Sequence, residues 1–235
     1  MKIRFFTIPN LLTLSNLLCG CMAAVLALSG DGDPHTPFLF IMAAAVFDFF
    51  DGFAARMLKC PSPIGLQLDS LADMVSFGVA PSAVIYTLCV SAPGVWEWSG
   101  GRILHLAVFV LAAFSALRLA KFNIDDEQHE EFTGLPTPAC AMFFAALGYS
   151  APAIMLPREA LLLLTALFAW LLISPVRMFS LKFRSFGFGA NKLRYIFLGA
   201  AAAMLLLLPP GIAIAAVIAL YIAISTVRYL TAKRQ

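Results

Sequence analysis

Charge is what this chain has least of. Only 12% of its 235 residues are Asp, Glu, Lys or Arg, while 61% are hydrophobic and the mean hydropathy is +0.90. A soluble domain carries about 25% charged residues, so a water-solvated fold is excluded. The apolar runs are rich in Leu, Ala and Phe, which points to membrane helices rather than a barrel. A net charge of +3 is too small for a nucleic-acid binder. Histidine is scarce, and His35, His105 and His129 have no ligand-like spacing. The five cysteines are odd in number and fall mostly in apolar segments, which argues against a disulfide framework. Cys19 and Cys21 are not at C-x-x-C spacing, which sets aside a zinc or redox motif. There is no internal repeat and no low-complexity tract.

What is abundant is apolar sequence in lengths that cross a bilayer, roughly 20 residues each. Spans are expected at about 11–29, 37–58, 66–93, 102–122, 136–156, 159–175, 193–209 and 211–230, eight in all. Pro209, Pro210 and Gly211 separate the last two, as in a helical hairpin. The expected fold is therefore an all-α polytopic membrane protein. The N-terminal run, with Lys2 and Arg4 before it, resembles a signal peptide. Asn10, Thr13, Ser15 and Asn16 inside it argue against cleavage.

Orientation follows from the distribution of Lys and Arg. With the N-terminus in the cytoplasm, only Arg102 and Arg158 of the 16 Lys and Arg lie outside. Trp96 and Trp98 then fall at the outer end of the third span, as interfacial aromatics do. Met1–Pro9 is basic and aromatic and suits the inner membrane surface. The acidic stretch Asn123–Glu131 reads as a solvated cytoplasmic loop.

Against that oily background stand four carboxylates: Asp48, Asp51, Asp69 and Asp73. Ionised groups at membrane depth are costly and mark function. Asp48 and Asp51 are three apart at the cytoplasmic end of the second span. Asp69 and Asp73 are four apart at the start of the third. Each pair shares a helix face, so two antiparallel helices can converge all four. Their only basic neighbours are Arg56 and Lys59, which is too little for structural ion pairing. An oxygen-only set suits hard divalent cations, and two metals sharing carboxylates form a clamp for displacement at phosphorus. Gly52 leaves room beside the acids, Arg56 offers a phosphate fork, and Ser62 offers a hydroxyl. Carboxylates on membrane helices also serve cation-coupled transport, and spacing alone leaves that reading open.

The full pattern is D-x2-D-G-x2-A-R-x8-G-x3-D-x3-D, filled by Asp48, Asp51, Gly52, Ala55, Arg56, Gly65, Asp69 and Asp73. Eight fixed positions at ordinary residue usage match by chance on the order of 10⁻⁹ per start. The pattern resembles the signature of the CDP-alcohol phosphotransferase family. That resemblance implies a six-helix membrane core around a cavity open to the cytoplasm, usually in a homodimer. It implies attack of an alcohol hydroxyl on the β-phosphorus of a CDP-linked donor, with CMP leaving. It makes Asp48, Asp51, Asp69 and Asp73 ligands of two divalent cations, Mg²⁺ or Mn²⁺, and Asp73 also the catalytic base. Asn10, Thr13, Gly52, Arg56, Ser62 and Gly65 would contact the CDP donor. Residues 1–185 would form the family domain, and 186–235 a C-terminal transmembrane hairpin packed on it.

Four further stretches resemble the bacterial membrane-embedded phosphatidylserine synthases within that family: Ser76–Pro81, Ala116–Asn123, Phe132–Ala141 and Ser174–Lys182. This implies CDP-diacylglycerol and L-serine as substrates, membrane lipid as the surroundings, and a bacterial-type cytoplasmic membrane as the location. Arg118, Lys121, Arg177 and Lys182 are then candidates to hold the serine carboxylate, with Ser76 and Asn123 as weaker ones. Positive-inside anchoring explains the four bases equally well. Lys121 stands where the subfamily often has Arg, so a point charge replaces a bidentate fork.

Overall fold

The computed structural model describes residues 5–30, 33–60, 62–94, 101–124, 132–179 and 188–232. Lys2, Arg4, Trp96, Trp98, the acidic stretch 125–131, Lys182 and the expected 185/186 boundary lie outside the described residues.

The first helix, α1, spans Ile8–Leu28 and starts on a Thr7 cap whose hydroxyl accepts from the Asn10 N–H at 3.4 Å. Its buried side is Pro9, Asn10, Thr13, Asn16, Gly20, Ala23 and Ala27. Leu11, Leu18, Met22, Val25 and Leu28 are exposed. This is the reverse of a soluble helix. Lipid solvates large apolar side chains, so small and polar ones turn inward, where backbones can approach.

Helix α2, His35–Met57, packs along α1. It ends in a left-handed turn: Lys59 has φ +52°, Lys59 N–H donates to Arg56 O at 3.3 Å, and Cys60 N–H to Ala55 O at 3.1 Å. This is the Schellman bond pattern, with Lys59 in the position that usually holds Gly. The next helix, α3, Pro63–Asp73, starts on Ser62, whose Oγ accepts from Gly65 N–H at 3.1 Å. It continues through a π-turn, Met74–Val79, into α4, Ala80–Ser91. The expected third span is thus one helical run with a π-turn in its middle.

Helix α5, Gly101–Leu106, runs through a short 3₁₀ turn, Ala107–Phe109, into α6, Val110–Ile124. Helix α7 is Thr137–Tyr149 and α8 is Arg158–Ile173. Helices α9, Phe188–Leu207, and α10, Pro210–Ala232, form the expected hairpin. All eight expected spans coincide with helix. Among the described residues, five helical runs are long and apolar enough to cross a membrane: Ile8–Leu28, His35–Met57, Pro63–Ser91, Ile103–Ile124 and Pro210–Ala232. Helix α7 has 13 residues where a span over 136–156 is expected. It stops because Pro152, lacking an N–H, cannot continue the ladder past Ser150.

Two two-residue strands, β1 (Phe132–Thr133) and β2 (Arg177–Met178), pair antiparallel with Thr133 opposite Arg177. Between β1 and α7, Gly134 has φ +80°, and a Cβ there would collide with the Leu172 carbonyl oxygen. The stretch Phe132–Ala141 is therefore a backbone device that docks the start of α7 on the end of α8. The hairpin joins the bundle through α10, which lies on α7, and Tyr221 Oη donates to Phe179 O at 3.1 Å. At the other end of the bundle, Arg158 donates to the Cys89 and Ala92 carbonyls at 3.2 and 3.3 Å, closing α4.

Candidate active site

The Schellman turn and the Ser62 cap reverse the chain between α2 and α3, α1 packs against both, and the acids face the gap between them. Asp48, Asp51 and Asp69 each offer a carboxylate oxygen within 4.8 Å of the others. Asp73 adjoins this trio, close enough for its carboxylate and that of Asp48 to influence each other electrostatically. Asp51 and Asp73 are buried. Helix α1 supplies the third wall. Thr13 Oγ1 donates to Asp51 Oδ2 at 2.6 Å, and Asn16 Nδ2 donates to Asp73 Oδ1 at 3.0 Å.

In front of the acids lies a cleft of about 550 Å³, its open mouth included. Asn10, Thr13, Asp51, Ser62, Gly65 and Asp69 line it, with Pro9, Ala55, Cys60 and Leu66. Four of the six residues expected at the CDP donor are thus brought together with two of the acids. Asn10 is held by a 2.8 Å bond from its Nδ2 to Phe5 O. Gly65 is confined, since a Cβ there would lie 3.1 Å from Ser62 Oγ and 3.3 Å from Asn10 Oδ1. Gly52 differs: it is exposed, and a Cβ would meet nothing within 4 Å. Among the described residues no packing requires glycine there. Arg56 is exposed one turn further on, and no ion-pair partner is seen for it among the described residues.

The serine candidates separate. Arg118 is buried at 8% exposure, within electrostatic reach of Asp73, and its Nε has no hydrogen-bond partner. Lys121 and Arg177 are exposed, and Lys182 lies outside the described residues. Asn123 instead ties α6 to α3, donating to Ser70 Oγ at 2.8 Å. Ser76 is buried and donates to the Asn16 carbonyl at 3.0 Å.

Sequence reasoning missed Asn16 as a site residue. The signal was there: Asn10, Thr13 and Asn16 repeat every three residues and fall on one helical face.

The acids fit a divalent metal. The donor set is all oxygen, three carboxylates converge, and no cationic side chain neutralises them among the described residues. Such a cluster is the setting for phosphoryl chemistry. A sequence model described as CDP-alcohol phosphatidyltransferase matches residues 6–174, which holds every acid and every donor candidate. This chain belongs to the CDP-alcohol phosphatidyltransferase family. Membership decides for transfer chemistry over cation-coupled transport.

Relatives within the family narrow the likeness. The chain is 36% identical to the CDP-diacylglycerol–serine O-phosphatidyltransferase of Bacillus subtilis (strain 168) over 149 residues, 63% of this chain and 79% of that protein. It is 35% identical over 147 residues to the protein of the same name from Mycobacterium tuberculosis (strain ATCC 25618 / H37Rv), covering 60% of this chain and 48% of that one. It is 33% identical over 140 residues to the archaetidylserine synthase of Methanothermobacter thermautotrophicus, 59% of this chain and 56% of that one. The match thus spans about half the length of the latter two.

Proposed function

We propose that this family member transfers the phosphatidyl group of CDP-diacylglycerol to the hydroxyl of L-serine, giving phosphatidylserine and CMP. The observation that carries the proposal is the convergence of Asp48, Asp51 and Asp69 beside a cleft lined by Asn10, Thr13, Ser62 and Gly65. The relatives' names support serine as the acceptor. The excess of Lys and Arg at one membrane side supports an active site facing the cytoplasm.

In this reading Asp48, Asp51, Asp69 and Asp73 hold two divalent ions, Mg²⁺ or Mn²⁺. When bound, the ions neutralise the diphosphate and stabilise departing CMP. Asp73 takes the proton of the serine hydroxyl as its oxygen bonds to the β-phosphorus and the bond from phosphorus to the CMP oxygen breaks. Arg56 holds a donor phosphate with its fork, and Gly52 keeps the approach clear. Asn10, Thr13, Ser62 and Gly65 form the wall against the CDP moiety. Arg118, buried near Asp73 with its Nε unpartnered, takes the serine carboxylate. Lys121, Arg177 and Lys182 serve as membrane-surface anchors in this scheme. The homodimer belongs to the same proposal, and cross-linking in native membranes tests it.

Purified protein given CDP-diacylglycerol, Mn²⁺ and labelled serine should yield labelled lipid and CMP. Absence of CMP with any alcohol sinks the proposal. CMP formed with glycerol 3-phosphate but not with serine keeps the chemistry and discards the acceptor. Asp73→Asn should abolish turnover while donor binding survives. Arg118→Gln should raise the KM for serine roughly tenfold or more without changing donor affinity; an unchanged serine KM removes Arg118 from the acceptor site.

A further inference from the structure

We propose that Asn16 is a positioning residue, which fixes the carboxylate of Asp73 through a contact set by the π-turn behind it. The inference rests on the reading of Asp73 as the base.

Asn16 is fully buried, and its Nδ2 donates to Asp73 Oδ1 at 3.0 Å. Its own Oδ1 is buried without a hydrogen-bond partner among the described residues. A half-satisfied buried amide is a poorer choice for stability than an apolar side chain of the same size. Packing therefore does not explain Asn16, whereas the bond to Asp73 does. A carboxylate is free to turn about its Cβ–Cγ bond. Holding one oxygen restricts that rotation and so fixes the plane of the carboxylate. A neutral amide does this without adding charge to the acid cluster.

The backbone sets this contact from both sides. Ser76 Oγ donates to the carbonyl of Asn16 itself at 3.0 Å. One helical turn along α1, a Cβ at Gly20 would lie 2.6 Å from Ser76 Cα, so only glycine lets the two backbones meet. Ser76 sits in the π-turn Met74–Val79, which begins directly after Asp73. On its other side, Gly78 meets α6, where a Cβ would lie 3.1 Å from Ser115 Cβ and 3.3 Å from Ala112 Cα. The wider π-turn re-aims the residues that follow it relative to those before it. That is how Asp73 can face the acids while Ser76 and Gly78 face α1 and α6. Thr13 makes the matching bond to Asp51 one turn earlier. Helix α1 thus grips one acid of each pair.

The test uses full-length protein carrying Asn16→Leu, which keeps the branched outline of the side chain and removes the donor, and Asn16→Ala, which removes both. For each, kcat, serine KM, CDP-diacylglycerol affinity, Mn²⁺ affinity by electron paramagnetic resonance and the thermal midpoint are measured. A positioning role predicts a kcat roughly 30-fold lower in both variants, with serine KM, donor affinity and Mn²⁺ affinity within about threefold of wild type. Asn16→Leu should not lower the thermal midpoint. A kcat within about threefold of wild type in either folded variant overturns the inference. So does a kcat loss matched by an equal loss of Mn²⁺ or donor affinity, which would make Asn16 part of the binding site. Asp73→Asn run alongside separates the two levels. Wild-type turnover in Asp73→Asn removes the base assignment and this inference with it. A dead Asp73→Asn beside normal Asn16 variants removes this inference alone.

Discussion

Beyond the acids, starting about a turn from them, α1, α2, α4 and α7 meet through Ala23, Ala27, Ala44, Ala80, Ala83, Ala141, Ala145 and Ala146, with Phe38, Ile41 and Phe77 among them. Further along, α4, α6, α7 and α8 meet through Ile85, Leu111, Phe144, Phe168 and Leu172. In the first region side chains are short, so the distance between helices is a backbone distance. In the second it is set by rings and branched chains, such as Phe143 and Phe168 with centroids 4.3 Å apart. Lipid gives helices no hydrophobic reason to associate, so close packing and hydrogen bonds must do it. Small residues permit both, as where Gly20 lets α1 close on Ser76, whose hydroxyl donates to the Asn16 carbonyl. Large residues fill volume and can repack.

This contrast can be broken from either side. The largest effect on stability is expected from Phe144→Ala, which empties the middle of the ring cluster with Phe143 and Phe168. It should cost about 3 kcal/mol in reversible unfolding. Turnover per folded molecule should stay within about threefold, and a large drop there would erase the division between the two regions. Gly20→Ala should do the reverse. Its new Cβ meets the backbone of Ser76, which cannot yield as a side-chain tip can. Turnover should fall roughly 100-fold in protein that still folds; near-normal turnover would show that the small-residue region tolerates displacement. Ser62→Ala comes next. It removes the α3 cap at the cleft wall, costs about 1 kcal/mol and should weaken donor binding several-fold in equilibrium titration. The smallest effect is expected at Lys59, whose φ of +52° suits glycine. Lys59→Gly should raise stability by about 1 kcal/mol with turnover unchanged. A loss of turnover instead would give the Lys59 side chain a role.

Much of the site was legible beforehand because its signals are short-range. The three- and four-residue spacings put Asp48 with Asp51 and Asp69 with Asp73, and the Pro-rich turn made the two helices antiparallel neighbours. Asn10, Thr13, Ser62 and Gly65 then came together in one cleft as expected. Gly52 and Arg56 sit one and two turns along the same helix but are exposed, without partners among the described residues that fix them. The acceptor side was less legible. Arg118, Lys121 and Arg177 look alike as basic residues near helix ends, and only burial separates Arg118 from the others. Helix α7 came out shorter than its apolar run, since hydropathy continues past Tyr149 while Pro152 stops the ladder.

By itself the sequence determined that the chain lives in a membrane, where most of its helices lie, and that four acids with one arginine and two glycines carry the signature of its family. These follow from composition and local periodicity, which need no knowledge of distant contacts. Only the tertiary structure decided that Asn16 reaches Asp73 from 57 positions away, that Thr13 reaches Asp51 from 38, and that a π-turn lies between. A π-turn has no residue code of its own. Gly20 and Gly78 let two neighbouring helices close on the turn around Ser76, and that closure is a property of the packed bundle.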